Sequence, residues 1–313
     1  MMYVLRKWYF DYLKEDGEYA YVYFAYIRLA GRTIRSLTVH VAFPGALPVT
    51  RSFLLPGHKE EGEAMAACAL GLPCGEIRVS GSDCSLQFER DDCSVNLSYS
   101  SGCGMVETPV EIVTGRKSRI IWTPVALRYT VSGTIRIGGT VVKPGGASGY
   151  ADALESTCLP PLVPARTLYW GRAHHTVFDM AYVHAVDRGG ESICSCMYLR
   201  DGAGVQSGPL TFEPDPSPPE GITTVQARGD YLISGTAGGG RMRARVHRMR
   251  PVQEAGFIDQ QDVRSPLLRS FIRLVTRDPR GTKYLSRADV SLILPGGEEY
   301  RADLALIDEC VRL

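Results

Sequence analysis

Hydrophobic and polar residues alternate with a period of two along many short stretches of the chain. Between Arg128 and Ile137, tyrosine, valine, glycine and isoleucine alternate with arginine, threonine and serine. One face is therefore apolar and the other polar, which is the pattern of a half-buried antiparallel strand. Tyr19–Tyr26 instead carries tyrosines on one face and mostly alanine, valine and phenylalanine on the other. This composition predicts a strand that is covered, or lines a ligand, on both faces.

Further strands of the same kind are predicted throughout the chain, separated by turn-forming residues. They span residues 33–43, 76–80, 83–89, 93–99, 108–113, 176–186, 192–199, 223–227, 230–237, 241–249, 288–294 and 299–307. Many short strands, together with 33 glycines and 19 prolines, favour barrels or sandwiches over a fold in which helices alternate with strands. We therefore expect an all-β protein.

Two stretches break the period of two. Ser265–Val275 combines a serine cap, a proline at the first helical position and apolar residues at helical spacing, which predicts one short helix. The alanine-rich stretch Glu60–Leu70 is a candidate for a second short helix, although it contains a glycine. Prolines and glycines at 144–146 and 159–164 bracket a segment that we do not expect to form regular sheet. We expect a domain boundary near residue 160, with one domain at 1–160 and the other at 161–313.

Charge and composition narrow the possible partners. The 313 residues include 35 Lys and Arg against 34 Asp and Glu, so nothing in the net charge favours nucleic acid or an anionic membrane. No apolar run approaches the roughly 18 residues of a membrane span, and we expect a cytoplasmic protein without stable membrane insertion. Nine cysteines without a secretory signal indicate reduced thiols. Phosphate-binding glycine loops are absent from the sequence, so we expect no nucleotide cofactor.

Three passages in order carry a resemblance to a known family. Lys7–Tyr12 reads Lys-Trp-Tyr-Phe-Asp-Tyr before an acidic turn, Gly146–Asp152 reads Gly-Ala-Ser-Gly-Tyr-Ala-Asp, and Leu168–His174 contains Trp-Gly-Arg. Together they resemble the carotenoid 1,2-hydratase-like double-lipocalin family (hydroxyneurosporene synthase and AttH-like proteins), which is related to tocopherol cyclases and lipocalin-like Diels–Alderases. The family has Asn-Trp-Gly after the aspartate, where this chain has Leu154–Ser156. That departure weakens the transfer of specific hydration chemistry.

The resemblance implies two tandem lipocalin-like (calycin) antiparallel β-barrels, with the short helix in the C-terminal half. It also implies a general acid, because the signature aspartate of the family protonates an isoprenoid double bond and Asp152 matches it. The chemistry is compatible, since a carboxyl group in an apolar barrel loses hydration, its pKa rises, and it stays protonated. Tyr150 and Glu155 are the other catalytic candidates. The alternative is that Asp152 only caps a turn after Tyr150.

A cation formed on a hydrocarbon needs partners that do not react with it, and aromatic faces supply them. Ordinary barrel core is the alternative role for these aromatic residues. The substrate-binding candidates are Trp8, Tyr9, Trp122, Tyr169, Trp170, Arg172, His174 and Phe178. Arg172 either anchors a polar group of the ligand or pairs with an aspartate. Alternation places His174 and Asp179 on opposite faces, so we expect no metal site.

Three functions remain open after these arguments. The first is a cofactor-independent cyclase, hydratase or isomerase, of lyase or isomerase class, acting on a hydrophobic isoprenoid or polyene in natural-product biosynthesis. The second is a pericyclase that promotes a [4+2] closure of a linear polyene in a shaped pocket. The third is a non-catalytic carrier of a lipid or pigment. In each case the expected partner is a hydrophobic small molecule, and the oligomeric state is left open.

Overall fold

The structure is a computed structural model that describes most of the chain. The described residues are 3–29, 31–56, 61–64, 67–72, 74–80, 82–102, 106, 108–113, 118–202, 204–214, 230–256, 266, 269–270, 273 and 279–313. They divide into two compact units. The first comprises Met1–Pro164, Ala255–Arg280 and Leu313, and the second comprises Ala165–Glu254 and Gly281–Arg312. Because the first unit takes in a late segment, the simple division at residue 160 stays a prediction.

The strands of the first unit form one antiparallel sheet of thirteen strands. They are β1 Tyr3–Leu13, β2 Tyr19–Leu29, β3 Arg32–Ala42, β4 Val49–Leu55, β5 Glu61–Ala64, β6 Ala67–Leu72, β7 Gly75–Ser80, β8 Asp83–Arg90, β9 Cys93–Ser100, β10 Val110–Val113, β11 Ile120–Ile137, β12 Thr140–Val142 and β13 Ala147–Ser156. Their order is β4-β3-β2-β1-β13-β11-β9-β8-β7-β6-β5, and β10 and β12 both pair with β11. The chain's first strand thus lies beside β13 in the middle of the sheet.

The sheet curls around a large apolar core, and a smaller separate cluster contains Tyr3, Ile27, Leu29 and Ile34. One face of most of its strands contributes to this core, and strands at a distance in the sheet order meet across it. Phe53 of β4 packs on Phe88 of β8 with ring centroids 5.1 Å apart, and Arg51 of β4 pairs with Asp92 beyond β8 at 2.7 Å. Strand β2, which lies between β3 and β1, is buried on both faces along most of its length, which confirms the prediction for Tyr19–Tyr26.

The second unit is a closed barrel of eight antiparallel strands. They are β14 Ala165–His174, β15 Asp179–Asp187, β16 Ser192–Asp201, β17 Gly204–Pro214, β18 Tyr231–Ala237, β19 Gly240–Gly256, β20 Arg280–Ile293 and β21 Glu299–Arg312. β14 pairs with β21 to close the barrel, and alternate residues fill its interior. The predicted all-β class with lipocalin-like barrels is confirmed.

Helical structure is sparse in the described residues. Pro160–Leu162 forms one turn of 3-10 helix. The expectation that the segment between residues 146 and 159 is not regular sheet is wrong, because Ala147–Ser156 forms β13, which pairs with both β1 and β11. The helix predicted at Ser265–Val275 lies largely outside the described residues, of which residues 266, 269, 270 and 273 are α-helical. The helix suggested at Glu60–Leu70 is wrong, because β5 and β6 occupy that stretch. The strand predicted at 223–227 lies outside the described residues. No helix in the described ranges is both long and apolar enough to cross a membrane.

Candidate functional site

Four buried polar and aromatic side chains meet on one face of the first unit's sheet. Tyr9 and Asp11 belong to β1, Tyr150 and Asp152 belong to β13, and all four are at most 3% exposed. Their neighbours along both strands belong to the apolar core. Because successive side chains of a strand point to opposite faces, the four project from the face that lies away from that core.

The register of β1 and β13 arranges these side chains as a four-cornered patch. Tyr9 lies opposite Asp152, and Asp11 lies opposite Tyr150. The two carboxyl groups therefore occupy diagonal corners, positions that are roughly 7–8 Å apart in an antiparallel ladder. Tyrosines occupy the other two corners. We refer to Tyr9, Asp11, Tyr150 and Asp152 as the Tyr–Asp quartet.

Each carboxyl group of the quartet accepts a hydrogen bond from an aromatic side chain. The indole Nε1 of Trp122, a buried residue of β11, donates to Asp152 Oδ2 at 3.0 Å. The Tyr9 hydroxyl donates to Asp11 Oδ2 at 2.8 Å and also contacts the Tyr19 hydroxyl. An indole N–H can only donate, whereas a hydroxyl group can both donate and accept. The two carboxyl groups are therefore held by chemically different partners.

An aromatic layer continues from the quartet across β2 and β3. The rings of Tyr9 and Tyr21 stack with centroids 5.7 Å apart, and those of Tyr21 and His40 stack at 4.9 Å. The Lys7 ammonium lies 5.0 Å from the centroid of the Tyr23 ring and 5.6 Å from that of Tyr9. Aromatic faces attract positive charge, and a cation already lies over two rings of this layer. The layer is therefore chemically suited to a cation.

Two candidates of the first unit lie on the opposite face of the sheet. Trp8 is in the apolar core, where its ring centroid is 5.6 Å from that of Phe24. Glu155 is partly exposed and pairs with Arg6 at 3.0 Å. The structure thus brings Tyr9, Trp122 and Tyr150 together with Asp152 and leaves Trp8 and Glu155 apart from them.

The remaining candidates lie in the wall of the second unit's barrel. Phe178 is buried in the barrel core. Tyr169 lies on the interior face of β14, and its hydroxyl pKa is raised mainly by burial. Trp170, Arg172 and His174 alternate with core residues of β14, so their side chains point outward from the barrel. The five candidates of this unit therefore do not form one cluster.

His174 and Asp179 contact each other, which the alternation did not predict. His174 Nδ1 lies 3.1 Å from Asp179 Oδ1, and Asp179 also pairs with Arg200. Their predicted placement on opposite faces is wrong because the chain reverses between them, where the His175 N–H donates to the Phe178 carbonyl. Within the described ranges, no group of three or more His, Cys, Asp or Glu is arranged to hold a metal ion.

A separate polar network lies inside the second unit's barrel. Arg248 pairs with Asp308 at 2.7 Å, and its guanidinium lies 4.6 Å from the centroid of the Tyr284 ring. Burial raises the pKa of Asp308, and Arg248 opposes that shift. Burial also lowers the pKa of His184 to about 4, so its imidazole is neutral at pH 7. Because its charges balance, we assign this network to the stability of the barrel.

Solved structures of other proteins superpose on nearly the whole chain. CghA with Sch210972 does so with a TM-score of 0.66 at 12% identity, over 99% of this chain and 88% of that one. A protein assigned as AttH from Nitrosomonas europaea superposes with a TM-score of 0.59 at 11% identity, over 98% of this chain and 92% of that one. Kievitone hydratase from Nectria haematococca superposes with a TM-score of 0.58 at 11% identity, over 98% of this chain and 88% of that one. This chain has their fold. No family model matches the sequence, and no curated protein matches it.

The resemblance seen in the sequence is thus confirmed at the level of the fold, and the fold explains two glycines of its motifs. A Cβ atom at Gly149 would lie 2.6 Å from the Asp11 carbonyl oxygen and 2.3 Å from Val131 Cγ2. A Cβ atom at Gly171 would lie 2.4 Å from the Tyr182 hydroxyl oxygen. All three distances are far below van der Waals contact. Gly149 therefore permits the close approach of β13 to β1 beside the quartet.

Sequence reasoning did not select several residues of this face. The missed residues are Asp11, Tyr19, Tyr21, Tyr23 and His40. A signal existed for the tyrosines, which alternate along a strand predicted to be covered on both faces. Asp11 stands in the first motif but was not considered as a site residue. His40 had no local signal, because it reaches the layer only through the pairing of β3 with β2, which sets it opposite Tyr21.

Proposed function

We propose that this chain is a cofactor-independent enzyme in which Asp152 protonates a double bond of a hydrophobic isoprenoid or polyene. The hydrogen bond from Trp122 Nε1 to Asp152 Oδ2 on a buried, tyrosine-rich face carries the proposal. Loss of water around a buried carboxyl group favours its uncharged form, and an uncharged carboxyl group is a proton donor. The indole holds that group in one orientation toward the substrate.

The aromatic layer supplies the second requirement, which is stabilisation of the cation. Each desolvated aromatic face contributes about 1–2 kcal/mol to a nearby positive charge. Tyr9 of the quartet belongs to this layer, together with Tyr21 and Tyr23. Water addition to the cation gives hydration, attack by another double bond gives cyclisation, and proton loss gives isomerisation. The reaction is then of lyase or isomerase class. Kievitone hydratase shares the fold and is a hydratase by name, which supports this class of chemistry.

The test compares Asp152→Asn with Glu155→Gln. The asparagine amide oxygen can still accept from Trp122, so the first variant removes the acid and retains the hydrogen bond. Glu155 lies on the other face of the same strand, which makes its variant a matched control. Purified proteins are incubated with squalene, lycopene and geranylgeraniol in detergent, and products are identified by chromatography with mass spectrometry. We expect Asp152→Asn to lose roughly 10²–10⁴-fold in turnover and Glu155→Gln to match the wild type.

Other outcomes separate the competing functions. Wild-type turnover by Asp152→Asn would exclude proton-initiated chemistry and favour a pericyclase, which needs only a shaped site and hydrogen-bond donors. Binding of these compounds without conversion by the wild-type protein would favour a carrier of hydrophobic small molecules. We propose that the enzyme acts in natural-product biosynthesis in the cytoplasm.

A further inference from the structure

Asp11 is the second buried carboxyl group of the quartet. A mechanism in which Asp152 protonates the substrate and no other carboxyl group acts would give Asp11 no role. It has no exposed surface and occupies the corner diagonal to Asp152. Tyr9, the residue opposite Asp152, donates its hydroxyl hydrogen bond to Asp11. Both carboxyl groups therefore belong to one continuous patch across β1 and β13.

The partners of the two carboxyl groups give them different proton chemistry. Trp122 donates to Asp152 through an indole N–H, which does not accept a proton in return. Asp11 accepts from the Tyr9 hydroxyl, which contacts the Tyr19 hydroxyl. Hydroxyl groups give and accept protons, so a proton that reaches Asp11 has an onward path along these two tyrosines. Asp152 is thus placed as a donor to substrate, and Asp11 as an acceptor that can pass a proton to these two hydroxyl groups.

We propose that Asp11 is the general base of the same site, an inference that rests on the proposed function of Asp152. In the first step the Asp152 O–H bond breaks, a C–H bond forms at one alkene carbon, and the other carbon becomes cationic. In the second step the Asp11 carboxylate removes a proton from the carbon beside the cation, and those electrons form a new double bond.

Hydration follows the same scheme with water as the nucleophile. Asp11 then takes a proton from the water molecule as its oxygen bonds to the cationic carbon. In both cases Asp11 ends with one proton and Asp152 ends without one. Transfer of that proton back through hydroxyl groups and solvent restores both carboxyl groups, so the cycle needs no oxidant or reductant.

The two steps require one carboxyl group that carries a proton and one that does not, and paired carboxyl groups can divide the acid and base roles in this way. The Lys7 ammonium lies over the rings of Tyr9 and Tyr23 on the same face.

The test uses Asp11→Asn, whose amide oxygen can still accept from Tyr9 but is not basic. Glu18→Gln is the matched control, because Glu18 accepts a hydrogen bond from Tyr12 at 3.0 Å in the neighbouring turn. Both variants and the wild type are incubated with lycopene in D₂O, and the measurements are product formation and deuterium in the recovered lycopene. Asp152→Asn is run alongside.

We expect Asp11→Asn to lose roughly 10²-fold or more in product formation, a general-base effect, while deuterium still enters recovered lycopene. That exchange persists because Asp152 can protonate the alkene and then recapture a proton. Asp152→Asn should lose both signals, and Glu18→Gln should lose neither. Asp11→Glu, which keeps a carboxylate, should regain part of the lost product formation.

Two results would overturn the inference while leaving the function of Asp152 intact. One is wild-type product formation by Asp11→Asn, alongside a loss in Asp152→Asn. The other is equal loss of product and exchange in Asp11→Asn and Asp11→Glu with lowered melting temperatures, which would make Asp11 a structural residue. Full activity of Asp152→Asn would instead refute the proposed function itself.

Discussion

Replacing Gly149 with alanine tests the close approach of β1 and β13 on which the quartet depends. The new Cβ atom would lie 2.3 Å from Val131 Cγ2, 2.6 Å from the Asp11 carbonyl oxygen and 3.1 Å from Tyr99 Cε1. Val131 and Tyr99 are buried side chains, so neither can swing into solvent. The Asp11 oxygen belongs to the backbone and moves only with its strand. We therefore expect β1 and β13 to separate next to the pair formed by Asp11 and Tyr150.

The size of the effect follows from overpacking. Inserting a methyl group into a closely packed site costs about 1–3 kcal/mol, and the lower freedom of the unfolded alanine chain offsets about 0.4–1 kcal/mol. The net loss in the free energy of unfolding should then be roughly 1–2 kcal/mol. For a unit of this size each kcal/mol lowers the melting temperature by about 2–4 °C. Gly149→Ala should also lower turnover, since the strands that carry both carboxyl groups move.

Urea and thermal denaturation, followed by circular dichroism, measure this loss. Gly71→Ala is the matched control, because Gly71 also lies in a strand and nothing stands within 4 Å of a Cβ atom built there. The double variant Val131→Ala with Gly149→Ala removes the contact with Cγ2 and retains the contact with the Asp11 oxygen. Its loss in the free energy of unfolding should therefore be smaller than the sum of the two single losses, but the stability of the wild type should not be fully recovered. Stability of Gly149→Ala within about 0.5 kcal/mol of the control, the range of neutral substitutions, would refute the close approach.

Two further predictions concern the second unit. His184 stays neutral in the folded protein down to about pH 4, whereas an unfolded histidine takes up a proton below about pH 6.5. The free energy of unfolding should therefore fall as the pH drops from about 6.5 to about 4. Urea denaturation of His184→Gln should show a free energy of unfolding that lacks this contribution to the pH dependence. Arg248→Met leaves the buried Asp308 without its cationic partner and should cost about 3–5 kcal/mol at pH 7. Because burial raises the pKa of Asp308, this loss should shrink on acidification; an equal loss at pH 5 would contradict the reasoning.

The strands were predictable wherever one face is buried and the other is exposed. β8 and β9 show this alternation, and the predicted spans 83–89 and 93–99 match them. Hydrophobic and polar residues do not alternate with a clear period in Glu60–Leu70. Strand β6 forms there because it pairs with β7, and no local sequence pattern encodes that pairing. The predicted strand 176–186 started too early for a similar reason. A hydrogen bond between His175 and Phe178 turns the chain there before β15 begins.

The candidate site was only partly predictable. The motif at Gly146–Asp152 led to Tyr150 and Asp152, and the opening motif led to Tyr9. The same motif also suggested Trp8, yet adjacent residues of a strand point to opposite faces, so Trp8 and Tyr9 could not both line one site. The contact of Trp122 with Asp152 depends on the pairing of β11 with β13, and the role of Asp11 depends on that of β1 with β13. Strand pairing over such sequence separations cannot be derived from local periodicity.

Burial of β1 on both faces links the register of the sheet to the chemistry of the quartet. Even-numbered residues such as Phe10 enter the core, and odd-numbered residues such as Tyr9 and Asp11 form the polar patch. A slip by one residue would bring Asp11 into the apolar core and Phe10 into the patch, and an unpaired carboxylate in apolar surroundings costs several kcal/mol. Register is therefore strongly specified. Asparagine at either carboxyl position retains an acceptor of similar shape and should leave the register unchanged. Loss of turnover without loss of stability in these variants then reports on proton transfer, whereas Gly149→Ala should change both together.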